Sequence, residues 1–363
     1  MRRRSPGKTI IGGCLAGLAL AGLSALAGCG DEAGPGAATK TAHRVDPKDA
    51  PPPVPPSWPL TGEVGEVVER AALAVKIEND PAARPQTGLE QADLIWEELV
   101  EGGESRFIAV YNSIVPETVG PVRSVRPMDG PIMGAVRGLL ACSGGQDRFV
   151  AQARDAGLQV VTEDYPGFFR SDERRMPHNL YLRPAEIWSQ ADQSHRALPR
   201  QEFQFAASDA AATATVQGEE AAKVEVAISA AARPDWTWQE DSGLFLRSER
   251  GTPSNGMSGT RLSAVNVIAL EVTIANAGGT DAAGSPIPDT RIVGSGRGLV
   301  ATGGRALEVR WSKADVASPV VLVTLDGTEV RLAVGQTWIE LAPTSDAPWT
   351  VTAPEPESPS PTE

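Results

Sequence analysis

Three apolar runs decide how the first half of this 363-residue chain is read. They are Leu73-Ala74-Val75-Lys76-Ile77-Glu78, Leu94-Ile95-Trp96-Glu97-Glu98-Leu99-Val100 and Arg106-Phe107-Ile108-Ala109-Val110-Tyr111. Each has strand length and strand composition. The last two are joined by Glu101-Gly102-Gly103-Glu104-Ser105, a Gly-containing connection that predicts a hairpin. Between the first two runs, Gln86 to Asp93 reads as a short helix. Downstream, Pro127 to Arg137 reads as a helix opened by its proline. Leu139-Leu140-Ala141-Cys142 and Gln159-Val160-Val161 read as strands flanking an amphipathic helix over Asp147 to Ala156, with Phe149, Val150 and Ala153 on one side and Gly157 as the stop. Strands alternating with helices predict a mixed α/β domain over residues 60–200.

From about Phe203 the texture changes. Val224 to Ile228, Leu244 to Leu246, Ala264 to Val272, Leu307 to Trp311, Val320 to Leu325 and Trp338 to Leu341 are short β-type runs punctuated by Gly, Asp and Pro, as at Asp326-Gly327. The expected fold class is therefore α+β: an N-terminal mixed α/β domain, then a β-rich C-terminal domain over residues 201–345. Residues 346–363 are a tail whose Pro/Ser/Glu end predicts disorder.

The N-terminus carries Arg2, Arg3, Arg4 and Lys8, then an uncharged stretch from Thr9 to Ala27. This is the layout of an export signal. It ends in Leu26-Ala27-Gly28-Cys29, which resembles the lipobox read by the lipoprotein signal peptidase. Residues 1–28 are thus expected to be removed and Cys29 to be acylated, the alternative being an uncleaved anchor with a chance cysteine. One acyl chain holds a protein only marginally, whereas two or more hold it firmly. Residues 29–59, with Pro51-Pro52-Pro53 and Pro55-Pro56, read as a spacer of flexible and polyproline character. The expected location is the extracytoplasmic side of the cell membrane.

Loss of four basic residues with the signal leaves 29 Lys+Arg against 46 Asp+Glu, a formal charge near −17. That balance argues against nucleic acid, which demands a basic footprint. It also opposes anionic headgroups, so the acyl anchor must supply the membrane contact. Of Cys14, Cys29 and Cys142, only Cys142 remains free in the mature chain, so no intrachain disulfide is expected. Three His and one free Cys make a zinc site improbable, and no metal or cofactor is called for.

Several ordered words carry a resemblance. They are Pro59-Leu60-Thr61-Gly62, Val75-Lys76-Ile77-Glu78-Asn79-Asp80, Arg84-Pro85-Gln86-Thr87-Gly88-Leu89, Ala92-Asp93-Leu94-Ile95-Trp96-Glu97-Glu98, Gly120-Pro121-Val122-Arg123-Ser124-Val125-Arg126-Pro127 and Pro177-His178-Asn179-Leu180-Tyr181. In the second half they are Trp236-Thr237-Trp238, Asn266-Val267-Ile268 and Gly335-Gln336-Thr337-Trp338-Ile339. Together they resemble the YerB-like bacterial lipoprotein family over nearly all of residues 60–343. The resemblance implies lipoprotein topology and two domains, and it implies no established reaction. It also implies a His/Asp-bearing stretch where this sequence has Thr252 to Gly259, which contains neither residue.

The candidate ligand-binding residues are Lys76, Glu78, Asn79, Glu98, Arg123, Arg126, His178 and Asn179. On a strand Lys76 and Glu78 share a face, as would Glu97, Leu99 and Glu101. Lys76 is the only Lys between Lys48 and Lys223. A buried Lys–Glu pair and a solvated sheet edge are the plainer explanations. Arg123 and Arg126 flank Ser124 at the start of the Pro127 helix, where guanidinium groups suit an anion; alternatively they neutralise the domain's own carboxylates. Arg170, Arg174, Arg175, His178 and Asn179 form a second polar cluster, in which His178 either shuttles protons or orients its loop. Cys142-Ser143-Gly144-Gly145 lacks a nucleophile elbow, which favours Cys142 as a small buried hydrophobe. Strand ends and helix starts meet at one edge of an α/β sheet. Lys76–Asp80, Arg123–Arg126 and Ser143–Asp147 are therefore expected to face one crevice under the His178 loop.

No complete catalytic signature is present. The first functional reading is a non-catalytic lipoprotein that binds an envelope glycan, an anionic polymer or a protein partner. The second is an envelope glycan hydrolase or transferase using Glu98 or Glu101 with His178, which needs these groups about 5–10 Å apart across a cleft.

Overall fold

The computed structural model describes residues 55–281 and 283–355. The expected export signal, the expected acylation site Cys29, most of the expected spacer and the last part of the tail lie outside the described residues. Among the described residues no helix is long and apolar enough to cross a membrane.

The N-terminal half contributes β1 (Leu73–Glu78), β2 (Leu94–Leu99), β3 (Ser105–Tyr111), β4 (Gly138–Ala141), β5 (Leu158–Val161) and a small hairpin of β6 (Phe168–Arg170) and β7 (Leu180–Leu182). Its helices are α1 (Asp129–Met133), α2 (Asp147–Asp155) and α3 (Pro184–Trp188); α4 (Thr213–Gln217) follows. The C-terminal half is almost entirely strand. It comprises β8 (Glu219–Glu220), β9 (Lys223–Val226), β10 (Pro234–Gln239), β11 (Leu244–Glu249), β12 (Thr252–Pro253) and β13 (Ser263–Ala264). The long β14 (Asn266–Thr280) and β15 (Pro286–Arg291) come next. They are followed by β16 (Gly294–Thr302), β17 (Arg305–Lys313), β18 (Val321–Thr324), β19 (Thr337–Pro343) and β20 (Trp349–Thr352).

The protein is mostly β, and the helices are shorter than the sequence patterns predict. Gln86 to Asp93 forms only a 3₁₀ turn at Leu89–Gln91. The helix expected from Pro127 to Arg137 is five residues long; it passes into a turn from Gly134 and ends at Arg137, whose φ is positive. Only α2, at nine residues, matches its predicted extent closely. The hairpin β2–β3 forms as expected, with Glu98 opposite Arg106 and Trp96 opposite Ile108.

One continuous sheet runs through both halves in the order β18-β17-β16-β14-β19-β2-β3-β1-β4-β5. The join is made by β19, which lies parallel both to β14 and to β2. A second sheet, β12-β11-β10-β9-β20, packs on one face of the first through Trp236, Phe245, Val224 and Val226. On the other face α1 and α2 bury Met128, Ile132, Met133, Phe149 and Ala153 against Trp96, Ile108, Leu140 and Val160. These apolar layers position the polar groups at the ends of β1, β2 and β3.

Candidate functional site

β1, β3 and β2 lie side by side, and their register puts Lys76, Ile108 and Trp96 in one row and Glu78, Arg106 and Glu98 in the next. All six therefore face the helix-covered side. There the ammonium of Lys76, fully buried, donates to Glu98 Oε1 and, at 2.8 Å, to Asp129 Oδ1. Asp129 is held in place by the backbone N–H of Arg126, 2.9 Å from its other oxygen. Burial and then the charge of Asp129 push the Glu98 carboxyl up to about 8, against the pull of Lys76. Lys76 thus joins two buried carboxyl groups, and the one whose ionisation burial opposes is Glu98.

Outward from this closed group lies a half-buried layer of arginines. Arg126 donates twice to Glu101, from Nε to Oε1 at 2.6 Å and from Nη2 to Oε2 at 2.8 Å, the bidentate geometry that makes such pairs strong. Arg123 Nη2 lies 2.8 Å from Glu78 Oε1, and His178 Nδ1 lies 2.9 Å from Glu78 Oε2. Among the described residues Arg106 has no carboxylate as a hydrogen-bond partner; its Nη1 donates to the Ser124 carbonyl at 3.1 Å. Burial, and then Arg126 and Arg123 beside it, lower its pKa to about 10. Four cationic side chains (Lys76, Arg106, Arg123 and Arg126) face four carboxyl groups (Glu78, Glu98, Glu101 and Asp129). The hydroxyls of Ser124 and Ser143 meet at 3.1 Å beside this layer, and Ser143 N–H donates to the Arg123 carbonyl.

The segments around Lys76–Glu78, Arg123–Arg126 and Ser143 therefore adjoin one another, with His178 reaching over Glu78. Asn79 and Asn179 do not join them. Asn79 turns to the opposite face of the sheet, where its Nδ2 donates to Glu97 Oε1 at 3.0 Å and Ser105 Oγ at 2.8 Å. Asn179 sits on the β6–β7 hairpin and accepts from Arg170 Nη1. The expected shared face of Glu97 and Glu101 is corrected as well. β2 ends at Leu99, so the alternation stops and Glu101, in a 3₁₀ turn, swings to Arg126.

Glu97 belongs to a second buried polar group that the sequence reading missed. Its Oε2 lies 2.7 Å from Nη2 of Arg247, which also donates to Glu249 at 2.9 Å and, through Nη1, to Ser254 Oγ at 2.9 Å. The Arg247 guanidinium lies 5.3 Å from the ring centres of both Phe107 and Trp338. Burial works against its charge, but Glu97, Glu249 and Glu340 together raise its pKa. Burial and then the charge of Glu97 push Glu340 well above the usual carboxylate range; its Oε1 accepts from Trp236 Nε1 at 3.1 Å. The partner of Glu97 comes from β11, about 150 residues away in the chain, and nothing local in the sequence announces it.

The chemistry available follows from exposure. Lys76, Glu98 and Asp129 are sealed, so no substrate reaches them. His178 pairs with Glu78 rather than with Glu98 or Glu101. Cys142 is fully buried, and burial pushes its thiol up to about 11, which suits a small hydrophobe rather than a nucleophile. Among the described residues no cluster of three His, Cys, Asp or Glu is disposed to hold a metal ion.

Residues 60–197 match the domain family described as protein of unknown function DUF3048, N-terminal domain, and residues 224–339 match its C-terminal domain. The chain is 28% identical over 302 residues to YerB of Bacillus subtilis (strain 168), which its name presents as a lipoprotein; the match covers 80% of this chain and 87% of that one. The crystal structure of YerB from Bacillus subtilis superposes with a TM-score of 0.69 at 26% identity, covering 82% of this chain and 99% of the other.

Proposed function

The chain belongs to the DUF3048 family, and from that premise we propose that it is a lipoprotein, acylated at Cys29 and held on the extracytoplasmic side of the membrane, that binds an anionic envelope polymer without acting on it. The observation that carries this reading is the layer of Arg106, Arg123 and Arg126, in which two carboxylates pair two of the three guanidiniums. A phosphate or carboxylate group beside Ser124 would accept from Arg106, whose charge is opposed first by burial and then by Arg126 and Arg123. Glycan-cleaving chemistry draws no support from the same residues, since Glu98 is sealed and His178 is engaged by Glu78.

The test is calorimetric titration of the full chain, in detergent micelles, with polyglycerol phosphate. Arg106→Gln combined with Arg123→Gln should weaken binding about tenfold or more, since a charged hydrogen bond contributes ~1.5–3 kcal/mol. The melting temperature should fall by only a few degrees, because Glu78 keeps His178 as a partner. Absence of binding to the parent chain, or a large fall in melting temperature with unchanged affinity, would overturn the reading.

A further inference from the structure

On the face of the sheet opposite the arginine layer, the loop after β1 meets the hairpin after β11. Between them lies a cavity of about 220 Å³, lined among others by Asn79, Arg84, Gln86, Arg247, Ser254 and Asn255. Beside it is a second hollow of about 410 Å³, reached from Thr87, Tyr181, Phe169 and Met257. Arg174 straps the rim between them, donating to the Ala83 carbonyl at 3.0 Å and the Pro85 carbonyl at 2.6 Å. The outer hollow by itself falls within the ~300–1,000 Å³ usual for small-molecule sites, and the inner one adjoins it.

The charges of the inner cavity are already matched. Arg247 is held by Glu97 and Glu249, and Arg84 lies 3.9 Å from Glu249. Among the described residues an ionic ligand would find no free counter-charge there, and at the outer hollow the carboxylates of Asp172 and Glu173 outnumber the one guanidinium, that of Arg174. Unmatched hydrogen-bonding capacity remains. Gln86 is 3% exposed; its Nε2 donates to the Glu78 carbonyl at 3.0 Å and to Asn79 Oδ1 at 3.1 Å, and among the described residues no donor reaches its Oε1. Arg247 Nε is a buried donor without a partner among the described residues, and in a cleft such an atom is one that a ligand or a water can complete. The side chains of Thr252, Ser254 and Asn255 add hydroxyls and an amide at the lip. The outer hollow supplies an apolar wall in Met257, 48% exposed, with the Phe169–Tyr181 pair behind it.

We infer that this cleft binds a neutral, hydroxyl-rich ligand, a short stretch of uncharged glycan with one sugar ring in the inner cavity and the next in the outer hollow. Sugar hydroxyls both donate and accept, which is what Gln86, Ser254 and Asn255 require. The site is separate from the arginine layer. β1 divides them, since the Glu78 side chain faces Arg123 while its backbone carbonyl accepts from Gln86.

The test uses the full chain in detergent micelles, titrated calorimetrically with two neutral probes, the β1,4-linked tetramer of N-acetylglucosamine and cellotetraose. At least one should bind. Asn255→Trp, at an exposed lip position, should fill the mouth of the cavity and weaken that binding about tenfold or more with the melting temperature unchanged, a loss of ~1.4 kcal/mol or greater. Arg106→Gln with Arg123→Gln should leave it intact, so failure here and failure of the anionic site are distinguishable. Binding of neither probe, or binding unaffected by Asn255→Trp, overturns the inference. So does an Asn255→Trp variant that loses polyglycerol phosphate binding instead.

Discussion

Glu97 and Glu98 are neighbours in sequence and serve opposite faces of one sheet. Glu97 reaches Arg247 at 2.7 Å on the side of the second sheet, and Glu98 meets the Lys76 ammonium beneath α1. The alternation of a β-strand makes this unavoidable once β2 is central rather than at an edge. Each carboxylate then needs a cation of its own, and the two cations come from different halves of the chain.

The Lys76 group should be a strong stability determinant. Lys76→Met takes from Glu98 and Asp129, both buried, the ammonium that both contact. Removing one member of a buried pair costs roughly 3–5 kcal/mol. Urea unfolding at pH 7 should show a loss of that size, partly recovered by adding Asp129→Asn. A loss below about 1 kcal/mol would mean that solvent reaches Asp129 and that the group is not sealed.

Stability should fall with rising pH through Glu202. This residue is buried, its Oε1 accepts from the Val320 N–H at 2.9 Å, and burial pushes its carboxyl up to about 7, partly offset by Lys313. Between the ordinary value of about 4.3 and that figure, the folded state binds more protons than the unfolded one, so each unit of pH lowers stability. The decline is complete above about 7. Glu202→Gln removes it, so the variant should gain on the parent by on the order of 3 kcal/mol from pH 4.5 to pH 7.5. Urea unfolding curves with the same pH slope in both proteins would contradict this.

The anchor is testable in cells. Cys29→Ala should accumulate as the unprocessed precursor and take up no radiolabelled palmitate. A variant still cut before position 29 and still labelled would show that Leu26-Ala27-Gly28-Cys29 is not the processed sequence.

The parts of the fold that were legible in the sequence are those fixed by local pattern. β1, the β2–β3 hairpin and α2 each carry a period and a stop signal within a dozen residues. β16 was not legible, because Gly294-Ser295-Gly296-Arg297-Gly298 looks like a loop. In the fold a Cβ on Gly296 would come 2.7 Å from both the Glu271 carbonyl and Trp311 Nε1, so glycine there serves a crowded strand. β15 hid behind Pro286 and Pro288, which its position beside β14 alone allows. At the candidate site, the sequence put Lys76, Glu78, Glu98, Arg123, Arg126 and His178 near one another because they sit at strand ends and a helix start. It missed Arg106, whose role depends on standing opposite Glu98 and Glu78 in register, and Arg247, whose partners lie far away in the chain.

The position of β19 also sets an order in time. Thr337 lies beside Leu94 in the finished sheet, with about 240 residues between them in the chain. β2 therefore emerges, from ribosome or export channel, well before its neighbour. Throughout that interval the nascent hairpin presents an unpaired, apolar strand edge, the kind that captures other chains. A cell making this protein must shield that edge until the last strands emerge.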